Sequence, residues 1–210
     1  MADMRRSSAR KGRGEVPKRE EILNVAEAHL TRLGYRGVSL HAIATEVGLS
    51  KPSLYHHFPD GKEELFVAIL NRSLTEARTA LESVISAQES PTEQLHVAVH
   101  WLMHEPARGR GIELMHDVTR FVDAKYHATV AEAYLNAHYR PIHKVVAAGV
   151  ESGAFRAVDP VFVTWSILGL IGGLMEVNLL SPTTPAPRID GGESQLAEEA
   201  LDLLLHGIAT

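Results

Sequence analysis

The sequence predicts an all-α protein, and three observations predict it. Apolar residues recur at spacings of three and four, the period of one face of a helix. Ser and Pro stand where helices would start and Gly where they would stop. No stretch alternates apolar and polar residues for long enough to argue a strand, and no internal repeat is present.

Taken in order, residues 1–17 form a Ser-, Arg- and Gly-rich basic arm ending at Pro17, expected to be disordered in the free protein. From Lys18 the pattern is helical: Ile22, Ala26, Leu30 and Leu33 make one stripe, and Gly34 is a stop signal. Ser39 is placed to cap a short helix over 40–47, with Ile43 and Val47 on one side and Gly48 closing it. Ser50 caps a third helix carrying Pro52 in its first turn, where a missing N–H costs nothing. That helix runs through Leu54, Tyr55, His56, His57 and Phe58 and stops at Pro59, Asp60 and Gly61. A long helix follows from about Lys62 to Ala87, another from Pro91 to about His104, and another over 111–123. Residues 125–152 read as a helix that Pro141 must kink or break, ended by Gly153. Residues 160–180 are apolar on most faces, and 181–192 are a loop rich in proline (Pro182, Pro185, Pro187). The last helix spans 193–207, with Leu196, Ala200, Leu203 and Gly207 along one stripe, which makes about nine helices. The expected domains are 18–64 for the small amino-terminal bundle and 65–210 for the rest.

Composition bounds the function. A chain of 210 residues with 45% hydrophobic residues can bury a core. The absence of cysteine excludes disulfides, thiolate metal sites and a Cys nucleophile, and fits a reducing cytoplasm. The longest apolar stretch, 161–175, contains Thr164 and Ser166 and ends at Glu176, short of the roughly 20 apolar residues a spanning helix needs. Arg5-Arg6 is followed by no apolar segment, so no export signal is read there, and a soluble cytoplasmic protein without membrane contact is expected. Charge is unevenly placed. Residues 1–62 hold 11 Lys/Arg against 7 Asp/Glu, a balance of +4, whereas 63–210 hold 10 against 19, a balance of −9. Such asymmetry is a stronger clue than the total, but a basic arm alone is more often a solubilising tail than a binding element, so the segment that follows it decides.

The segment 39–58, SLHAIATEVGLSKPSLYHHF, has the dimensions of a helix-turn-helix. Ala44 is small enough for close helix approach, Gly48 admits a turn that a Cβ would oppose, and Ile43, Leu49 and Leu54 can form the small core between the helices. The second helix then presents Lys51, Ser53, Tyr55, His56 and His57 on a rod that fits the major groove. Ser39, Ser50 and Lys62 stand at helix amino termini, where phosphate binds.

With EEILNVAEAHLTRLGYRGVSL before that segment and KEELFVAIL after it, residues 16–70 resemble the DNA-binding region of TetR-family transcriptional regulators. The resemblance implies that Ser39 and His41 meet phosphate, and that Lys51, Pro52 and Ser53 lie closest to bases, Pro52 against a thymine methyl. It implies that Tyr55 hydrogen-bonds phosphate, that His57 contacts backbone or base, and that Lys62 pins the backbone. Ser50 and His56 complete the surface. Asp60-Gly61 departs from the family pattern, in which many members carry a single small or polar residue before the lysine. The family also implies a helical domain that binds a small molecule and dimerises. Effector binding there moves the fourth helix, so that the two recognition helices no longer match half-sites about one DNA turn apart. A homodimeric, non-enzymatic repressor of a palindromic operator is therefore expected, without cofactor.

In the remainder, His100, Trp101, Met103, His104, Met115, Phe121, Tyr134, Phe162, Trp165 and Met175 are candidates to line an apolar pocket for a lipophilic effector. The wholly apolar run 167–174, with Gly169 and Gly173 four apart, and the stripe Leu196, Ala200 and Leu203 are candidates for the dimer interface. His96, His100 and His104 share one helix face, and two imidazoles at i, i+4 can hold a metal ion. Glu-x-x-His occurs at Glu93–His96 and at Glu113–His116, and a di-iron bundle needs two such pairs together with a Glu from each of two further helices. A metalloenzyme and a nonspecific DNA binder are the competing classes. No phosphate loop, dinucleotide fingerprint or Ser–His–Asp order appears.

Overall fold

The computed structural model describes residues 15–104, 117–118, 120–179, 199–200 and 202–205, with side chains described from residue 18 onward except those of 175–179. Among the described residues the regular structure is all helical. Helices α1 (Glu15–Gly37), α2 (Leu40–Glu46), α3 (Lys51–His57), α4 (Lys62–Ser86) and α5 (Pro91–His104) come first. A 3-10 turn (Ala124–Tyr126) leads into α6 (His127–Tyr134), and after a π-turn (Leu135–Tyr139) come α7 (Arg140–Glu151) and α8 (Pro160–Leu179). Residues 199–200 and 202–205 are helical as well. No described helix is long and apolar enough to cross a membrane.

The chain forms two compact units. One runs through Arg72 and takes in the segment from His116 to His127; the other comprises the rest. The amino-terminal unit is thus larger than the span 18–64, because α4 continues unbroken past residue 64 and a distant segment joins it.

The amino-terminal unit is built on Ile22, Leu23, Ala26 and Leu30 of α1, which meet Ile43, Ala44, Leu54, Phe58, Leu65, Phe66, Ile69 and Leu70, all buried. Leu33, on the same sequence stripe, is 47% exposed: it lies at the end of the helix, one residue before the break at Gly34 (φ 64°), where little packs over it. His29 is buried in its stead.

The carboxy-terminal unit has one apolar core. Leu81 of α4, Leu95, Val99, Leu102 and Met103 of α5, Ile142, Val145 and Val146 of α7, and Val163, Ile167, Leu168 and Ile171 of α8 fill it around Phe155. Pro141 is accommodated without ending the helical run. The π-turn immediately before it supplies the wider spacing that an α-turn lacks, so the ring does not meet the carbonyl four residues back. At the far end of α7, Phe155 folds back onto Gly149. A Cβ at that position would stand 2.1 Å from the ring, so glycine is required by close approach. The Phe155 N–H donates to the Gly149 carbonyl at 2.9 Å and fixes the turn.

Candidate nucleic-acid interface

The helix-turn-helix is assembled as its sequence dictates. Ser39 caps α2 by accepting the Ala42 N–H at 3.4 Å. Gly48 adopts φ 67°, and the Leu49 N–H donates to the Ala44 carbonyl at 2.8 Å, closing the turn. Ser50 caps α3 by accepting the Ser53 N–H at 3.3 Å, and the two hydroxyls lie 2.8 Å apart. Ile43, Leu54 and Phe58 are wholly buried, and through them α3 is held against α2 and α1.

What α3 leaves outside is polar. Lys51, Pro52, Tyr55 and His56 are exposed, with Ser53 and His57 half-buried beside them. The Lys51 ammonium lies 5.9 Å from the Tyr55 ring centroid, and the His56 and His57 rings meet edge to face at 5.9 Å. Ser39 and His41 are exposed at the start of α2. Such a surface offers cations, hydroxyls, imidazoles and an aromatic ring on a rigid rod, the donor types that phosphates and base edges accept.

Lys62 is placed differently. Its ammonium is half-buried, donates to the Arg36 carbonyl at 3.3 Å and stands 4.6 Å from the Tyr35 ring centroid; burial lowers its pKa. In this state it ties the start of α4 to the end of α1 and does not project outward.

Several positioning contacts carry no signal in periodicity, because their members are far apart in sequence. Lys18 donates to the Val47 carbonyl at 2.6 Å, capping the end of α2. Buried His29 pairs through Nε2 with Glu46 at 2.7 Å, joining α1 to α2. Arg72 reaches Glu20, Asn24 and Glu27, at 3.1, 2.7 and 2.6 Å, locking α4 to α1. An aromatic cluster adds to these: Tyr35 meets Phe66 edge to face at 4.9 Å and stacks on Phe121 at 5.5 Å, with the Arg36 guanidinium 4.7 Å from the Phe121 centroid.

Against known proteins, the family described as "Bacterial regulatory proteins, tetR family" matches residues 22–69, from the third turn of α1 into α4. Residues 22–69 are thus similar to the tetR-family DNA-binding region. The HTH-type transcriptional regulator LmrA of Bacillus subtilis (strain 168) is 37% identical over 75 residues, which are 36% of this chain and 40% of that protein. This chain therefore matches less than half the length of that relative. The tetR-family likeness of fold extends further. A transcriptional regulator of the TetR/AcrR family from Thermobifida fusca superposes with a TM-score of 0.71 at 23% identity, over 91% of this chain and 98% of that one. FadR from Bacillus subtilis, solved in complex with stearoyl-CoA, superposes with a TM-score of 0.68 at 16% identity, over 90% and 98%.

The tetR-family match leaves the carboxy-terminal unit outside it, and there the sequence candidates scatter. Met103 is buried in the core, and Trp101 packs against it. His100 and His104 stack face to face at 4.1 Å, with His104 Nδ1 2.8 Å from the His100 carbonyl. Stacked imidazoles do not converge their nitrogens on one point, and no cluster of three metal-ligating residues occurs among the described residues. The Tyr134 ring lies 5.0 Å from that of His138. Phe121, expected in the pocket, belongs instead to the amino-terminal unit, where Tyr35 and Arg36 hold its ring. Phe162 and Trp165 point away from the core, 70% and 48% exposed, because they lie on the side of α8 opposite Val163 and Ile167. Of the dimer candidates, Gly169 and Gly173 are exposed on that outer side and Leu203 is 71% exposed, but Ala200 is already covered within the chain. Met115, Leu196 and the side chain of Met175 lie outside the described residues.

Proposed function

We propose that the chain is a sequence-specific, homodimeric DNA-binding regulator, a repressor released from a palindromic operator by a small-molecule effector. The observation that carries this is the outer surface of α3: Lys51, Pro52, Tyr55 and His56 project from a helix whose inner side chains, Leu54 and Phe58, are wholly buried. A rigid rod with that side-chain set reads the major groove, while Ser39, His41, Ser50, Ser53 and His57 add backbone and base contacts. The match of residues 22–69 to the tetR-family model supports the assignment.

A dimer is supported by the outer side of α8, where Val161, Phe162 and Trp165 are exposed in the single chain next to Gly169 and Gly173. Two copies joined there would present two α3 helices to the two halves of an inverted repeat. The effector we infer is lipophilic, consistent with the apolar character of the carboxy-terminal unit's core and with the stearoyl-CoA bound to the FadR of similar fold. The regulator acts without catalysis or cofactor, with DNA in the cytoplasm.

Selection of DNA from a randomised library by the purified protein tests the proposal. Enrichment of one inverted repeat is the expected result. Bulk retention with no preferred sequence, lost as salt rises, would make it a nonspecific binder.

A further inference from the structure

Asp60 is the sole acidic residue between Val47 and Lys62, and it stands in the turn that follows the DNA-facing helix. The next residue, Gly61, packs against Tyr55: a Cβ there would lie 3.2 Å from the Tyr55 ring. An exposed carboxylate so close to a phosphate-binding surface opposes DNA binding on Coulomb grounds. In this structure the carboxylate is paired, although its side chain remains 49% exposed. The Lys125 ammonium and the Tyr126 hydroxyl both donate to Asp60 Oδ2, at 2.5 and 2.6 Å. Beside them the Asp123 N–H donates to Glu63 at 2.9 Å. These donors belong to the 3-10 turn that runs directly into α6, the helix through which the chain enters the other unit. The strap is anchored at its other end by the Phe121–Tyr35 stack and by Arg36.

We propose that Asp60 is a masked repulsive charge: Lys125 and Tyr126 neutralise it while the strap is seated, and movement of α6 that withdraws the strap bares the carboxylate against the operator backbone and weakens DNA binding. The inference rests on the DNA-binding function proposed above. It gives residues 123–126 a regulatory role that the position of the recognition helix alone does not provide. It also gives a purpose to the Asp60-Gly61 departure from the family pattern.

A double-mutant cycle on the selected operator tests it. Asp60→Asn in the native strap should change affinity less than about two-fold, because the charge removed is already neutralised. In a Lys125→Met background the same substitution should tighten binding roughly three- to ten-fold at low salt, and the gain should shrink as salt rises. Equal effects in both backgrounds mean independent surface charges and overturn the proposal. Asp60 holds the Tyr126 phenol up to about 12, so alkaline ultraviolet titration should show one tyrosine moving toward lower pH in Asp60→Asn. An unmoved titration overturns the latch without reference to DNA. A wild-type protein that retains no DNA would refute the DNA-binding function itself, and this proposal with it.

Discussion

The outer side of α3 and the outer side of α8 are both exposed in the single chain, yet they are opposite in chemistry. On α3 the exposed groups are a lysine, a tyrosine and a histidine, each able to hydrogen-bond water when no partner is present. On α8 they are Val161, Phe162 and Trp165, of which only the indole N–H has any such use. The first surface is stable in water and can be left waiting for DNA. The second costs free energy for as long as it stays wet, so it is expected to be covered permanently. On the proposed reading, the difference separates an obligate association, dimerisation through α8, from a conditional one, DNA binding through α3.

The interior beneath α8 sets the largest expected effect. Phe155 fills the space above Gly149 and is almost wholly buried. Phe155→Ala should cost about 3–5 kcal/mol, from lost transfer energy and the cavity left behind. Chemical denaturation of the variant checks this, and a loss below about 1 kcal/mol would mean that the unit tolerates the void by collapsing. The outer surface comes next. Phe162→Glu with Trp165→Glu should leave the interior intact but weaken dimerisation by about 2 kcal/mol or more, roughly 30-fold, because each charge would have to be desolvated in an apolar contact. Sedimentation should then find monomers at concentrations where the wild-type chain is dimeric. A variant that remains dimeric would erase the contrast between the two surfaces.

The amino-terminal unit was legible in the sequence because its signals are local. Ser39 and Ser50 cap their helices within three residues, Gly48 turns where a glycine must, and Ile43, Leu54 and Phe58 face inward at helical spacing. What periodicity could not supply is the set of ties between distant positions, such as His29 to Glu46, Arg72 to α1, and Lys125 to Asp60. Lys62 shows the same limit. Its place at the start of α4 followed from the sequence, but the direction of its long side chain is set by the Arg36 carbonyl and the Tyr35 ring. In the carboxy-terminal unit the sequence shows which residues are apolar but not which side of a helix is covered. The run 167–174 is apolar all round, so composition could not separate buried Ile167 and Ile171 from exposed Gly169 and Gly173. An aromatic residue serves equally in a core, a pocket or an interface. Residue type alone therefore puts Phe121, Phe162 and Trp165 in one group, and the fold separates them.

The smallest expected effects lie on α3 itself, and they distinguish affinity from specificity. Tyr55 is 38% exposed, and its ring is steadied by neighbouring Lys51 and Gly61, so Tyr55→Phe should leave the helix in place and remove only a hydroxyl. If that hydroxyl donates to phosphate, affinity should fall by about 1 kcal/mol, roughly five-fold, for specific and random DNA alike. Lys51→Ala removes a cation from the first turn of the same helix. If Lys51 reads a base, the loss should concentrate at one position of the operator, and the selected motif should relax there while the rest is kept. Repeating the library selection with each variant separates the two roles. A position-specific change in Tyr55→Phe, or an unchanged motif in Lys51→Ala, would reverse the assignment and move base reading away from the helix's first turn toward its middle.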